Sequence, residues 1–140
     1  MPRPTDPAVL LAVAVGGVIG ALGRYGIARA LPAQGEHFPW ATFVTNVIGC
    51  VVVGALVVLV VEHPAAHALT RPFLVTGVLG GFTTFSTFAV ETRGLLATGH
   101  GATALGYVAA TLVVGVGAVA VVRFACVEWL RRTGRRGDAL

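Results

Sequence analysis

An apolar segment near the middle of the chain contains an unusual cluster of glycine, hydroxyl and phenylalanine residues. Residues 77–88 read GVLGGFTTFSTF, and the surrounding residues 72–90 carry no charged side chain. That length is close to the roughly 20 residues that a helix needs to cross a bilayer core. Glycine and threonine are poor helix formers, and lipid tolerates unwound backbone only where protein or a water-filled cavity covers it. We therefore predict a membrane helix that is broken in its middle and sheltered by other helices.

Close packing is the alternative explanation for the same cluster. Glycines in membrane helices let neighbouring backbones approach, and Ser or Thr hydroxyls bond to a carbonyl one turn earlier. The density of the cluster favours a functional role, but both explanations stay open at this point.

Four uncharged runs, each of about the length that crosses a bilayer, make up most of the 140-residue chain: residues 7–23, 38–61, 72–90 and 101–122. Charged residues amount to 11%, whereas they reach about 25% in soluble domains. We predict an all-α integral membrane protein, multi-pass in a plasma membrane or a bacterial inner membrane, with one four-helix domain and no soluble catalytic domain. Its transmembrane helices are expected at about residues 8–31, 41–61, 72–97 and 101–130, with the third broken near residues 80–84.

Several polar residues lie inside or at the edge of these predicted spans. Asn46 either makes an interhelical hydrogen bond or is a donor that lines an aqueous path. Arg24 either reaches the lipid headgroups or faces an aqueous cavity. Tyr107 and Thr111, four residues apart, form a hydroxyl stripe that either bonds its own backbone or lies beside a pore.

The basic residues are all arginines, and four of them crowd the C-terminal tail, which suits anionic headgroups of a cytoplasmic leaflet better than a nucleic acid. Even-numbered spans place both termini on one side, where positive-inside bias favours the cytoplasm. That side holds Arg3, Arg71, Arg131, Arg132, Arg135 and Arg136, and the other side holds Arg29 and Arg93. Without the tail the two sides balance, so the orientation depends on the last residues.

Three sequence motifs together resemble one family. They are GGFTTFSTF in the third span, T-x-x-x-N-x-x-G from Thr42 through Asn46 to Gly49 in the second, and a glycine-rich first span that ends in Arg24 and Tyr25. The combination is similar to the Fluc/CrcB fluoride channels over about residues 16–111. The chain length and the four-helix plan agree with that family.

The resemblance implies a dual-topology dimer of two antiparallel chains, with two narrow fluoride pores and a structural Na⁺ at the two-fold axis. The second chain would be another copy or a paired homologue of opposite orientation. Backbone carbonyls of Gly80 and Thr83 would bind the Na⁺, and Phe85 and Phe88 would line the pores. Asn46 would donate to the ion.

The resemblance also implies that Tyr107 and Thr111 extend a polar track, which in some relatives continues through a hydroxyl where this chain has Gly115. Fluoride is small, strongly hydrated and a strong hydrogen-bond acceptor, so a pore must supply donors, for which Asn46 and Thr87 are the candidates. Phenylalanine rings presented edge-on would favour an anion without holding it tightly. The expected function is passive efflux of cytoplasmic fluoride.

Two other classes compete with a channel. A proton-coupled exporter of similar size needs a membrane-embedded carboxylate, but only Glu91 lies near a functional stretch, at the expected exit of the third span. The remaining acidic residues fall outside the spans or at their ends: Asp6, Glu36, Glu62, Glu128 and Asp138. A structural scaffold would explain the glycines and leave Asn46 and the phenylalanines without a role. An enzyme is disfavoured because no nucleophile and base are paired in the sequence.

Overall fold

The computed structural model describes residues 6–31, 37–61 and 68–133, and every regular element within these ranges is a helix. The all-α prediction is therefore confirmed for the described part of the chain. The helices are α1 (Pro7–Ala30), α2 (Trp40–Leu56, continued by the π-helical turn Val57–Val61), α3 (π-helical Pro72–Leu79 followed by Gly80–Phe82), α4 (Phe85–Ala97) and α5 (Gly101–Arg132). Six residues considered above lie outside the described ranges: Arg3, Glu36, Glu62, Arg135, Arg136 and Asp138.

Three helical segments are long and apolar enough to cross a membrane: Pro7–Ala30, Pro72–Ala97 and Gly101–Arg132. The fourth, Trp40–Leu56, has 17 residues. At a rise of 1.5 Å per residue it extends about 26 Å, and the turn Val57–Val61 brings it close to the ~30 Å of a hydrocarbon core. These segments correspond in order to the four predicted spans.

Large apolar side chains cover the outside of the bundle, while small and hydroxyl residues fill much of its inside. Leu11 and Leu22 of α1 and Leu105 and Val113 of α5 are each more than 60% exposed. The buried polar residues are Thr42, Thr45 and Thr84. An outer surface of this composition is suited to lipid chains, which solvate leucine and valine as well as a protein core does.

Glycines bring α1 and α3 into backbone contact. A Cβ built on Gly77 would lie 2.9 Å from the Val13 carbonyl oxygen and 3.0 Å from the Gly16 Cα. A Cβ on Gly20 would overlap the backbone of α3, and one on Gly81 would overlap the backbone of α1. Because no side chain separates the two helices along this seam, they pack through dispersion contacts between main-chain atoms.

The α2 and α5 helices run in the same direction in a constant register. A Cβ on Gly115 would lie 3.2 Å from Cys50 Sγ, and a Cβ on Gly54 would lie 3.0 Å from the Val119 carbonyl oxygen. Both pairs differ by the same number of residues, so each level of α2 has a fixed counterpart on α5. This register brings Thr42 to the level of Tyr107.

The glycine seam predicts that one methyl group in α1 destabilises the protein. Gly20→Ala places a Cβ against the backbone of α3, which cannot move aside like a flexible side chain, and we expect a loss of about 1–3 kcal/mol. Gly26→Ala is the matched control, because a Cβ there meets no atom within 4 Å. The measurement is thermal unfolding of both purified variants in detergent. Equal stability of the two variants would contradict the backbone contact.

Candidate functional site

The break in the third span lies at two threonines. Thr83 (φ −77°, ψ 157°) and Thr84 (φ −147°, ψ 121°) are extended, and they separate α3 from α4. Gly80 has helical angles (φ −63°, ψ −35°). The predicted break near residues 80–84 is thus located on its threonines, while its glycines belong to the helix before it.

The Asn46 side chain of α2 binds the backbone at this break. Its Nδ2 donates to the Thr84 carbonyl oxygen at 3.0 Å, and the Thr84 N–H donates to its Oδ1 at 3.0 Å. The amide thereby replaces the helical acceptor that the Thr84 N–H lacks, and it adds a second donor to the Thr84 carbonyl oxygen, which also begins α4 as its N-cap. This is the interhelical bond that the sequence left as one alternative for Asn46.

Hydroxyl groups satisfy the two helix ends that the break creates. Thr83 Oγ1 donates to the Leu79 carbonyl oxygen at 2.9 Å at the end of α3. Thr84 Oγ1 accepts from the Thr87 N–H at 3.2 Å and so caps α4. It also donates to Thr87 Oγ1 at 3.0 Å, which leaves the hydroxyl hydrogen of Thr87 free for another acceptor.

The Gly80 carbonyl lies in the last turn before the break. In a continuous helix the Thr84 N–H would donate to this carbonyl oxygen, but here it donates to Asn46. Gly80 is exposed, and a Cβ on it would meet no atom within 4 Å. Carbonyl oxygens at the end of a half-helix are suited to a cation such as Na⁺. The Gly80 carbonyl oxygen, which is followed by the extended Thr83, is therefore a suitable ligand for the cation that the resemblance implies.

A cavity of about 360 Å³ opens beside the break. Its polar lining comes from α1, α2, the break and the first turn of α4, and consists of Arg24, Tyr25, Thr42, Thr45, Thr84 and Thr87. The sequence allowed Arg24 to lie either at the lipid headgroups or at a cavity, and in the structure it lines the cavity. The cavity therefore offers a guanidinium and the Thr87 hydroxyl to an anion, whereas the Thr42 and Thr84 hydroxyls donate to Glu91 and Thr87.

Glu91 lies where α2, α4 and α5 meet. Its Oε1 accepts from Thr42 Oγ1 at 2.9 Å, and its Oε2 accepts from the Tyr107 hydroxyl at 2.8 Å. Tyr107 is fully buried. One carboxylate thus holds three helices together through two hydroxyl donors, which are charge-assisted bonds of the stronger kind.

Three aromatic rings follow one another from the surface into the core. The centroids of Phe85 and Phe88 are 5.9 Å apart, and those of Phe88 and Tyr107 are 5.0 Å apart. Phe85 is 80% exposed, whereas Phe88 packs against the core cluster of Leu95, Ala104 and Tyr107. Among the described residues of one chain, the first ring of the series is therefore largely uncovered.

The two members of the predicted hydroxyl stripe have different partners. Thr111 Oγ1 donates to the Tyr107 carbonyl oxygen of its own helix at 2.7 Å, which is the backbone-bonded alternative. The Tyr107 hydroxyl donates to Glu91 instead. The structure therefore brings Tyr107 to a carboxylate and leaves Thr111 bonded within α5.

Sequence reasoning missed Thr42 and Glu91 as partners of Tyr107. Thr42 was noted only as part of a motif, and Glu91 only as an acidic residue at a helix exit. A usable signal was present, because Thr42 and Asn46 are four residues apart and therefore share one face of α2. Since Asn46 needs a polar neighbour in the membrane, this spacing indicates that Thr42 also faces the interior.

Comparison with known proteins gives one family. A family model described as "CrcB-like protein, Camphor Resistance (CrcB)" matches residues 11–123. Fluoride-specific ion channel FluC 2 of Nocardia farcinica is 48% identical, over 95% of this chain and 94% of its own length. Fluoride-specific ion channel FluC 2 of Streptomyces avermitilis is 53% identical over 74% of this chain and 66% of its own length. Fluoride-specific ion channel FluC 1 of Streptomyces coelicolor is 48% identical over 82% and 75%.

The two hydrogen bonds between Asn46 and Thr84 predict a large loss of folding stability when the amide is removed. Asn46→Leu leaves the buried Thr84 N–H unpaired, at about 1–3 kcal/mol, and removes one of the donors to the Thr84 carbonyl oxygen. Thr111→Val is the control, because its lost hydroxyl donates only to its own helix. Thermal unfolding in detergent should show a clearly lower midpoint for Asn46→Leu and a nearly unchanged one for Thr111→Val. A wild-type midpoint for Asn46→Leu would mean that the break needs no amide.

Proposed function

Because the chain belongs to the family of CrcB-like proteins, we propose that it forms a passive, fluoride-selective channel. The observation that carries this proposal is the cavity beside the break, which presents Arg24 and the Thr87 hydroxyl to an anion. The relatives named as fluoride-specific ion channels support the choice of ion. Three long apolar helices and a shorter one make the chain a multi-pass protein of the cell membrane.

Hydrogen-bond donors next to the break support fluoride as the permeant ion. A carboxamide has two N–H groups, and Asn46 uses one of them on Thr84. The second N–H and the hydroxyl hydrogen of Thr87 are donors for a partly dehydrated anion. Arg24 attracts anions to the cavity from water, because its side chain is a cation with several N–H donors.

The phenylalanines provide a weaker, electropositive surface beyond these donors. The edge of an aromatic ring carries partial positive charge and its face partial negative charge. Phe85 and Phe88, if presented edge-on, would attract an anion weakly enough for it to leave again, so the ion would not be trapped. Tyr107 and Thr111 would continue this path. Both hydroxyl hydrogens have partners within the chain, so Tyr107 would contribute its ring, and Thr111 would donate to the anion by turning its hydroxyl hydrogen away from the Tyr107 carbonyl oxygen.

A second chain packed antiparallel on this one would complete the pore. Phe85 is 80% exposed, and the space around Gly80 is open. A pore residue cannot work while it faces lipid, so another chain must cover this side of α3 and α4. The second chain is either another copy or a paired homologue of opposite orientation.

A structural Na⁺ between the two chains would satisfy the carbonyls at the break. Gly80 and Thr83 would supply main-chain oxygens, which are the ligands that a hard cation prefers. Two chains with two oxygens each give four ligands. In lipid, freed carbonyls need such a partner as much as the cation needs them.

Glu91 is the observation that favours the second candidate function, a proton-coupled exporter. The Glu91 carboxylate lies between three helices rather than in a loop. The chain therefore has an embedded carboxylate, the group that a proton-coupled exporter needs. The channel is favoured because the relatives are named as ion channels. In a passive channel the membrane potential alone drives the anion outward, at about 2.3 kcal/mol per charge for each 100 mV.

The channel proposal predicts fluoride efflux without chloride efflux from liposomes that contain only this protein. Chloride is a weaker hydrogen-bond acceptor than fluoride and gains less from the same donors. Ion-selective electrodes measure both ions after the potential is collapsed with an ionophore. Equal rates for the two ions would exclude selectivity, and efflux that requires a proton gradient would support the exporter. Efflux that appears only when a paired homologue is added would identify the heterodimer.

A phenylalanine variant tests the pore lining in the same assay. Phe85→Ile keeps an apolar side chain but removes the aromatic edge, and an effect of about 1 kcal/mol corresponds to about fivefold slower efflux. Phe124→Ile is the control, because Phe124 is 72% exposed in α5 and lies far from the break in sequence. Equal rates for Phe85→Ile and the wild type would assign Phe85 to packing.

The cation proposal predicts that Na⁺ supports the dimer. We expect replacement of Na⁺ by a large organic cation on both sides to reduce fluoride efflux and dissociate the dimer in detergent, once the bound ion has left. Thr83→Ser should retain the wild-type response because it keeps the main-chain ligand. Unchanged efflux and an intact dimer after verified loss of Na⁺ would show that the break holds no structural cation.

A further inference from the structure

We propose that Phe38, in the segment before α2, is a positioning residue that holds the Tyr107 hydroxyl on Glu91. This inference rests on the proposed channel function, because it concerns the aromatic path beside the pore. Phe38 is half-buried and packs against the core cluster around Tyr107. None of the sequence motifs described above includes it.

Phe38 is held in place by the start of α2. Pro39 occupies the N-cap position of α2, and the residue before this position commonly packs against the fourth residue of the helix as a hydrophobic staple. Phe38 and Phe43 occupy those two positions, with ring centroids 5.3 Å apart in an edge-to-face arrangement. Pro39 further limits the backbone of Phe38 to extended conformations, and the Phe38 carbonyl oxygen accepts from the Trp40 N–H at 2.8 Å.

The staple carries the Phe38 ring to one side of Tyr107. The two ring centroids are 5.2 Å apart with an interplanar angle of 79°, an edge-to-face contact. Phe88 packs on the same tyrosine with a centroid distance of 5.0 Å. Tyr107 is therefore held between a ring of the pre-α2 segment and a ring of the proposed pore.

This arrangement fixes the direction of one hydrogen bond. Tyr107 turns about its χ1 and χ2 angles, and neighbouring rings restrict both. With Phe38 in place the hydroxyl donates to Glu91 Oε2 at 2.8 Å. When a flexible, smaller side chain replaces Phe38, the tyrosine ring gains space next to Phe43, and its hydroxyl moves away from the carboxylate. Phe88 then loses the surface against which it packs.

A double-mutant cycle separates positioning from simple packing. We expect Phe38→Leu to slow fluoride efflux about two- to tenfold, the range that corresponds to an aromatic pair contact. Tyr107→Phe keeps the ring and removes the hydroxyl, so it should also slow efflux. Because Phe38 acts through that hydroxyl, Phe38→Leu should have no additional effect in the Tyr107→Phe protein. An equal fold-change in both backgrounds would reduce Phe38 to packing and overturn the proposal, as would wild-type efflux in Phe38→Leu or in Tyr107→Phe.

Matched variants control for folding. Phe38→Tyr retains the ring and should restore wild-type efflux. Trp40→Leu removes a ring that also contacts Phe38 (4.6 Å between centroids) and should leave efflux unchanged. If Phe38→Leu does not give a monodisperse protein, Phe38→Met takes its place, since an unbranched side chain fills the space with less strain.

A spectroscopic measurement tests the inference independently of transport. The chain has two tyrosines, so a Tyr25→Phe protein leaves Tyr107 as the only Raman reporter of phenol hydrogen bonding. Phe38→Leu should change the tyrosine doublet from that of a strong donor to that of a weaker one. An unchanged doublet would overturn the positioning role. A wild-type protein without fluoride efflux, alone or with a homologue, would instead refute the channel function and leave the Raman result to decide on Phe38.

Discussion

The pair of hydrogen bonds between Asn46 and Thr84 is the interaction on which the rest of the site depends. A helix cannot break inside a membrane unless protein groups or a water-filled cavity satisfy the backbone groups at the break. Asn46 provides a donor and an acceptor from one planar amide, and it binds both groups of a single peptide residue. Because the Thr84 N–H is bound in this way, the Gly80 carbonyl loses its usual donor and becomes available to a cation. The same bond fixes the distance between α2 and the broken span.

The glycine seam between α1 and α3 solves a second problem of membrane folding. Lipid chains solvate apolar side chains, so the hydrophobic effect does not drive two apolar helices together. Gly16 of α1 instead meets Gly77 of α3 at main-chain distance, Gly17 meets Gly81, and Gly20 meets the Val78 carbonyl, so that many small dispersion contacts add up. Since α3 packs so closely on α1, Arg24 at the far end of α1 lies beside the break.

Tyr107 connects the two halves of the site. Its hydroxyl joins Thr42 on the Glu91 carboxylate, and its ring lies between Phe38 and Phe88. A displacement of Tyr107 would therefore disturb both its hydrogen bond to the Glu91 carboxylate and its contact with the Phe88 ring. Polar networks of this kind are sensitive to every member, since an unpaired carboxylate in a membrane protein is costly.

The sequence by itself determined the helical class, the apolar spans and the existence of a break, because these follow from local composition and from the length of a bilayer. It also indicated Asn46, since an amide in a span must find a partner. It did not determine which threonines are extended, because glycines and threonines both disfavour helices and only the amide of α2 selects Thr84. Nor did it join Thr42, Glu91 and Tyr107, which lie on three helices. That meeting depends on the register of α2 and α5 and on the path of α4 after the break, and both are set by tertiary packing rather than by local sequence.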